Sequence, residues 1–153
     1  MLRRVLLAAA VSVALVGTAS AATIDYAAKL SGAKEVPKTD SKGTGALKAT
    51  LDTTSKVLTY TLTFDKLSGP ATAAHLHGPA ARTATAGVMA PLGDKNPSSP
   101  VSGTVTLTDD QIKALQSGKV YVNVHTAANP GGEIRGQVYH RRAHKAGAKK
   151  SST

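Results

Sequence analysis

An all-β fold is predicted for this chain, either an antiparallel β-sandwich or a flattened Greek-key barrel of seven or eight strands with one short helix. Short segments in which apolar and polar residues alternate recur roughly every 8 to 12 residues. Polar turns rich in glycine, proline, asparagine and aspartate separate these segments. A single short segment carries both the start and the stop signal of a helix. This combination is typical of packed antiparallel strands rather than of alternating strands and helices.

Alternation is clearest in the first half of the chain. Residues 57–65 place apolar side chains on one face and threonines on the other, and residues 47–51 alternate in the same way before a short polar turn. These two segments are therefore predicted to form a hairpin, with residues 23–30 as the preceding strand. The predicted core positions are Ile24, Tyr26, Ala28, Leu30, Leu47, Ala49, Leu51, Leu58, Tyr60, Leu62 and Phe64.

The second half of the chain is predicted to add further strands and the helix. Thr108 and Gln111 enclose two aspartates in a capping box, and Gly118 follows where a helix of about two turns would end. The helix is therefore expected at about residues 109–117. Strand segments are expected at residues 72–77, 88–92, 101–107, 119–126 and 133–139.

Both ends of the chain are predicted to lie outside the fold. Residues 1–21 have the basic start, apolar middle and small-residue end at Ala21 that are typical of a secretory signal peptide. The protein is therefore expected to be periplasmic or secreted, with no membrane span in the mature chain. Residues 139–153 are predicted to form a disordered basic tail that could contact an envelope protein or an anionic surface. One domain remains, at residues 22–138.

Composition excludes several classes of function. The net charge is +10, but seven of the 19 basic residues lie in the two ends, which leaves 12 basic and nine acidic residues in the domain. With few aromatic side chains and no basic stripe, the domain is not expected to bind nucleic acid specifically. The chain has no cysteine, and it shows no phosphate-binding loop and no Ser-His-Asp arrangement. Hydrolase chemistry therefore has no positive support, an enzyme is the least favoured class of function, and no organic cofactor is expected.

Three histidines form the candidate site. His75 and His77 are two residues apart in a predicted strand, so both side chains point to the same face. Leu76 and Val124 are the natural core residues of their strands, which places all three histidines, including His125, on the outer face. Three imidazoles around one point are typical of a copper or zinc site. The alternative is a structural or protein-interaction domain of the cell envelope, in which the histidines only hydrogen-bond a loop.

Four further residues are candidates for supporting roles. Asn123 shares a strand face with His125, and Glu133 and Arg135 share a face of the last strand. All three could orient His125, although a surface ion pair between Glu133 and Arg135 is the simpler interpretation. His140 could supply a fourth ligand nitrogen.

Two segments resemble the CHRD domain, a module repeated in the developmental protein chordin and common in exported bacterial proteins. The first segment, residues 74–80, has the sequence AHLHGPA, and the second, residues 121–138, has the longer and more specific sequence YVNVHTAANPGGEIRGQV. The resemblance covers residues 23–138. It implies an all-β domain and no defined biochemical activity.

A weaker similarity connects the chain to Cu/Zn superoxide dismutase, whose β-sandwich also carries copper ligands as a His-x-His pair on a strand plus distant histidines. The chain departs from that pattern in the loop at residues 78–100. This loop offers only Asp94, whereas the dismutase has a cluster of histidine and aspartate ligands there for its zinc ion. The disulfide of the dismutase is also impossible here. Dismutase activity is therefore not expected, whereas the binding of copper or zinc is compatible with the residues present.

Overall fold

The structure, a computed structural model, describes residues 22–141, and within them the chain forms nine β-strands and one α-helix. The predicted signal peptide and the tail beyond Arg141 lie outside the described residues. The helix, α1, spans Asp109–Gln116. The strands are β1 (Thr23–Ser31), β2 (Thr44–Asp52), β3 (Val57–Asp65), β4 (Ala71–His77), β5 (Val88–Pro91), β6 (Val101–Thr106), β7 (Tyr121–Thr126), β8 (Ile134–Gln137) and β9 (Tyr139–His140).

The strands form one antiparallel sheet with the order β5-β4-β7-β8-β1-β2-β3-β6, and β9 pairs with β1 beside β8. The sheet curls until it is nearly closed into a barrel. The predicted all-β class is therefore confirmed, and of its two forms the barrel describes the molecule. A curled sheet lets the edge strands β5 and β6 contribute to the same core as the central strands.

The interior of the barrel is built from the predicted apolar positions. In the β2–β3 hairpin Leu47 faces Leu62 and Leu51 faces Leu58, and all four side chains are buried. Full burial of a leucine stabilises a fold by roughly 1.5 to 3 kcal/mol, so this hairpin is a major part of the core. Phe64, at the end of the same face, is only partly buried.

The helix begins and ends where its signals predict. The Thr108 hydroxyl accepts a hydrogen bond from the Gln111 backbone N–H at 3.3 Å, and the Gln111 side chain accepts one from the Thr108 N–H at 2.9 Å. Gly118 follows the helix with a φ of 69°, a left-handed conformation that suits glycine. Leu115 is the helix's most deeply buried apolar contact with the core. Among residues 22–141, no helix is long and apolar enough to cross a membrane.

The ordered chain continues past Val138, the expected last core residue. Tyr139 and His140 pair with β1, and the backbone N–H of Arg141 donates to the Asp25 carbonyl at 2.8 Å. The start of the predicted disordered tail is thus a short strand, because β1 offers free backbone groups beside β8. The rest of that tail is outside the described residues.

A covered outer surface lies over the β4–β7–β8 part of the sheet. Two irregular segments cover it, the loop at residues 78–87 and the segment at residues 32–43 between β1 and β2. Several polar side chains on the outer face of the sheet are therefore buried between the sheet and these segments. The predicted site lies on this face.

Candidate metal centre

His75 and His77 point away from the barrel interior, as the alternation of β4 predicts. Their neighbours Ala74 and Leu76 are buried in the core, at 2% and 1% exposure. His75 is half-buried, whereas His77 is only 7% exposed because the loop after β4 covers it. A strand with an apolar inner face thus presents both imidazoles on its outer face.

The pairing of β7 with β4 brings His125 to this pair. His75 lies opposite Asn123 in the antiparallel register, so His125 is the diagonal neighbour on the same face. His75 Nδ1 lies 3.1 Å from His125 Nε2. One ring nitrogen from each of the three histidines lies within 4.8 Å of the others, which makes this group a candidate to hold a metal ion.

Backbone carbonyls determine which nitrogen of two rings carries the proton. His77 Nδ1 lies 3.0 Å from the Ala86 carbonyl, and His125 Nδ1 lies 2.9 Å from the Pro130 carbonyl. Because a carbonyl oxygen only accepts, both Nδ1 atoms donate and both Nε2 atoms keep a lone pair. His77 Nε2 is buried and has no hydrogen-bond partner among the described residues.

The surroundings favour neutral imidazoles. Burial lowers the pKa of His75, and the neighbouring His125 and His77 lower it further. Burial also lowers the pKa of His77, while its hydrogen bond to Ala86 partly opposes this shift. Neutral imidazole is the form that binds a metal ion, so these two rings are suited to ligation at neutral pH.

A stack of three side chains fixes the orientation of His77. Its ring lies parallel to the Tyr121 ring, with the centroids 4.9 Å apart, and the Arg135 guanidinium lies 3.5 Å above the Tyr121 centroid. The Arg135 Nη2 donates to the carbonyls of Ala81 and Ala84, at 3.2 and 2.8 Å. Arg135 therefore holds the covering loop and the stack together, rather than contacting His125.

Asn123 lies between the histidines and a buried acid. Glu35 Oε1 and Asn123 Nδ2 both lie beside Gly132, where an added Cβ would approach each of them to less than 3 Å. Burial raises the pKa of Glu35, and the positive charge of Arg135 only partly opposes this shift. Asn123 therefore lies between Glu35 and the histidines, opposite His75 in the sheet, and it is not a hydrogen-bond partner of His125, whose ring nitrogens lie against His75 and Pro130.

Glu133 has a different role from the expected one. Its carboxylate is fully buried and accepts hydrogen bonds from the hydroxyls of Ser41, Ser68 and Thr126, each at 2.6 Å. Burial alone would raise its pKa, but these bonds and the Ser68 backbone N–H lower it to about 2. The expected surface ion pair with Arg135 is wrong because both side chains are buried under the covering segments and bind different groups.

His140 is not part of the cluster. Because β9 pairs with β1, the His140 ring packs edge-on against Tyr26, with the centroids 5.9 Å apart. The structure therefore brings His75, His77 and His125 together and leaves His140 outside the group. The described residues supply three imidazole nitrogens at this point.

Comparison with known families agrees with the two histidine-bearing segments. A family model for the CHRD domain matches residues 26–138. The chain belongs to the CHRD domain family. The matched residues contain every strand of this CHRD domain except β9 and the first residues of β1, as well as all three clustered histidines. No curated protein and no solved structure matches the chain significantly.

Sequence reasoning missed two residues of the centre of this CHRD domain. Tyr121 alternates with Asn123 and His125 along β7, so the period-two pattern already placed it on the histidine face. Glu35 had no such signal, because it lies in an irregular segment that only the folded chain brings over the sheet.

Proposed function

We propose that this CHRD domain is an exported module that binds one copper or zinc ion through His75, His77 and His125. The observation that carries the proposal is the pair of Nδ1–H bonds to backbone carbonyls, which leaves a lone pair on Nε2 of both His77 and His125. The His77 lone pair has no partner among the described residues, and the His125 lone pair faces His75 Nδ1. Metal-binding histidines in proteins typically donate their second nitrogen in this way. The predicted signal peptide supports function outside the cytoplasm.

Distances in the cluster are compatible with one shared ion. Ligand bonds of roughly 2.0 to 2.1 Å in a tetrahedral site separate the ligand nitrogens by about 3.4 Å. The distance of 3.1 Å between His75 Nδ1 and His125 Nε2 is already close to this value. The widest separation of 4.8 Å exceeds this value by about 1.4 Å, a difference that small rotations of two side chains can close. Three protein ligands leave a coordination position open for exchange.

The competing interpretation is a purely structural cluster in a domain that binds an envelope partner. A hydrogen bond between His75 and His125 fits that interpretation. The position of His77 favours a metal ion, because its Nε2 is buried beside two other imidazoles without a hydrogen-bond partner in the described part of the chain. A buried acceptor without a partner is costly, and a metal ion would satisfy it.

Titration of the purified protein with Cu²⁺ and with Zn²⁺, in separate calorimetric runs, tests the proposal. We expect one ion per chain, and we expect each single substitution, His75→Ala, His77→Ala or His125→Ala, to weaken binding by roughly tenfold or more. Electron paramagnetic resonance of the Cu²⁺ complex should show coupling to several nitrogens. The matched control is His140→Ala, which removes a histidine outside the cluster and should leave binding unchanged.

Two results would contradict the proposal. One is equal stoichiometry and affinity in the wild type and in a variant with all three substitutions. The other is a loss of binding in His140→Ala as large as that in His125→Ala. Thermal unfolding of each variant shows whether a loss of binding merely reflects a loss of folded protein.

A further inference from the structure

A second candidate site lies in a cleft that none of the three clustered histidines lines. The cleft has a volume of about 420 Å³ and runs between residues 33–38 and the loop that contains Arg82. Arg135 and Gln137, two buried side chains of β8, form its floor. A volume of this size is in the range of sites for small organic ligands.

Positive charge dominates the lining of the cleft. Lys34, Lys38 and Arg82 are exposed at its rim, Arg135 lies beneath them, and Glu35 is the only acidic residue among the lining side chains. Within residues 22–141, none of the four cations lies within 4.0 Å of a carboxylate oxygen, since the ion pairs found there join other residues. Four cations around a single carboxylate leave the cleft with an excess of positive charge, which favours the binding of an anion.

The floor of the cleft has a donor without an acceptor. Arg135 is 1% exposed, and its Nη2 is used by the Ala81 and Ala84 carbonyls. Its Nη1 is buried and has no hydrogen-bond partner among the described residues. A buried guanidinium N–H rarely stays unpaired in proteins, and a carboxylate or a phosphate is its preferred partner.

Two acceptors without donors accompany this group. Gln137 donates from Nε2 to the carbonyls of Ala80 and Gly118, which directs its Oε1 away from them and leaves that oxygen without a partner in the described part of the chain. Glu35 Oε1 is likewise buried and unpartnered there. A ligand that satisfies the floor therefore needs hydroxyl donors in addition to its negative charge.

We propose that this cleft binds a small organic anion, a carboxylate or a phosphate ester that also carries hydroxyl groups. The anionic group contacts Arg135 at the floor of the cleft and the Lys34 and Arg82 side chains at its rim. The hydroxyl groups donate to Gln137 and to Glu35. This site is distinct from the proposed metal centre, because its lining includes none of the three histidines.

Binding of four small molecules to the purified, metal-free protein tests this proposal. The probes are D-glucuronate and D-glucose 6-phosphate, with D-glucose as the uncharged analogue and inorganic phosphate as the anion without a carbon skeleton. We expect both sugar anions to bind more tightly than D-glucose and inorganic phosphate, and more weakly as the salt concentration rises. Calorimetry or NMR titration measures the four affinities.

Charge-removing variants locate the site. Lys34→Gln and Arg82→Gln should each weaken binding of D-glucuronate by about threefold to tenfold. The matched control is Lys95→Gln, which removes an exposed positive charge that does not line the cleft. All three positions are exposed, so the variants should keep the wild-type melting temperature.

Several outcomes would overturn the proposal. It is wrong if neither sugar anion binds at concentrations up to about 10 mM. It is also wrong if D-glucose or inorganic phosphate binds as tightly as the sugar anions, because the floor would then not select for charge together with hydroxyl groups. A loss of affinity in Lys95→Gln equal to that in Arg82→Gln would show that the anion binds outside the cleft.

Discussion

Replacing Glu133 by glutamine should destabilise the fold by roughly 3 kcal/mol at neutral pH. The Glu133 carboxylate receives hydrogen bonds from Ser41, Ser68, Thr126 and Asn129, with distances between 2.6 and 3.2 Å. Glutamine keeps the shape but presents an amide NH₂ where one oxygen stood. Hydroxyls can rotate and the Asn129 amide can flip to accept from it, whereas the Ser68 backbone N–H can only donate.

The magnitude follows from the pKa of Glu133. The folded protein lowers this pKa from 4.5 to about 2, and each pKa unit corresponds to about 1.4 kcal/mol. Because the folded-state pKa is depressed, the stabilisation is fully present above the unfolded pKa and is lost as the pH falls towards 2. At pH 3 about 2 kcal/mol of it should be gone.

Urea denaturation of the wild type and Glu133→Gln at pH 7 and pH 3 measures this contribution. The difference in unfolding free energy should shrink from roughly 3 kcal/mol at pH 7 to about 1 kcal/mol at pH 3. Asp94→Asn, which removes an exposed carboxylate, is the control and should track the wild type. A Glu133→Gln difference that stays constant between the two pH values would refute the reasoning, since the hydrogen bonds would then not depend on the charge.

Three further changes test other parts of the structure. Thr108→Ala removes the capping box and should cost about 1 kcal/mol in urea denaturation, and an unchanged midpoint would contradict the role of the cap. Gly136→Ala would place a Cβ 2.6 Å from the Lys29 carbonyl oxygen. We therefore expect thermal unfolding to show a loss of about 1 to 3 kcal/mol in stability. Unchanged stability would mean that β1 and β8 can separate at little cost. The pKa values of His75 and His77 are lowered from the ordinary value of 6.5, so both rings stay neutral down to a pH below 6.5. Copper or zinc affinity, measured by chelator competition, should therefore decline only below about pH 6.5. A decline in affinity that starts well above pH 6.5 would contradict these pKa shifts.

Local alternation was sufficient to predict β1 to β8 and their inner faces, whereas β9 lies at the start of the predicted tail. In β3, for example, Leu58, Tyr60 and Leu62 are buried as expected, because a strand with one apolar face has only one stable orientation towards a core. The strand order was not predictable in the same way. The pairing of β1 with β8 joins residues about a hundred positions apart, such as Ser31 and Arg135, and no local pattern specifies that partner.

The histidine cluster was largely predictable because two of its three requirements are local. The spacing of His75 and His77 gives a shared face, and the valines of β7 fix the face of His125. The convergence of these three residues then required only that β4 and β7 be neighbours. His140 lies outside the cluster because its position depends on the pairing of β9 with β1, which no local pattern specifies.

The roles of Glu133 and Arg135 show what alternation cannot reveal. Their pattern places both side chains on the outer face of the sheet, and charged residues on an outer face are usually in solvent. Here that face is covered by segments that have no periodicity, so their position over the sheet has no signature in the sequence. The two buried charged side chains also bind the segments that cover them. Glu133 accepts a hydrogen bond from Ser41, and Arg135 donates to the Ala81 and Ala84 carbonyls. A polar residue on an outer face is therefore evidence of exposure only where no irregular segment is long enough to fold back over it.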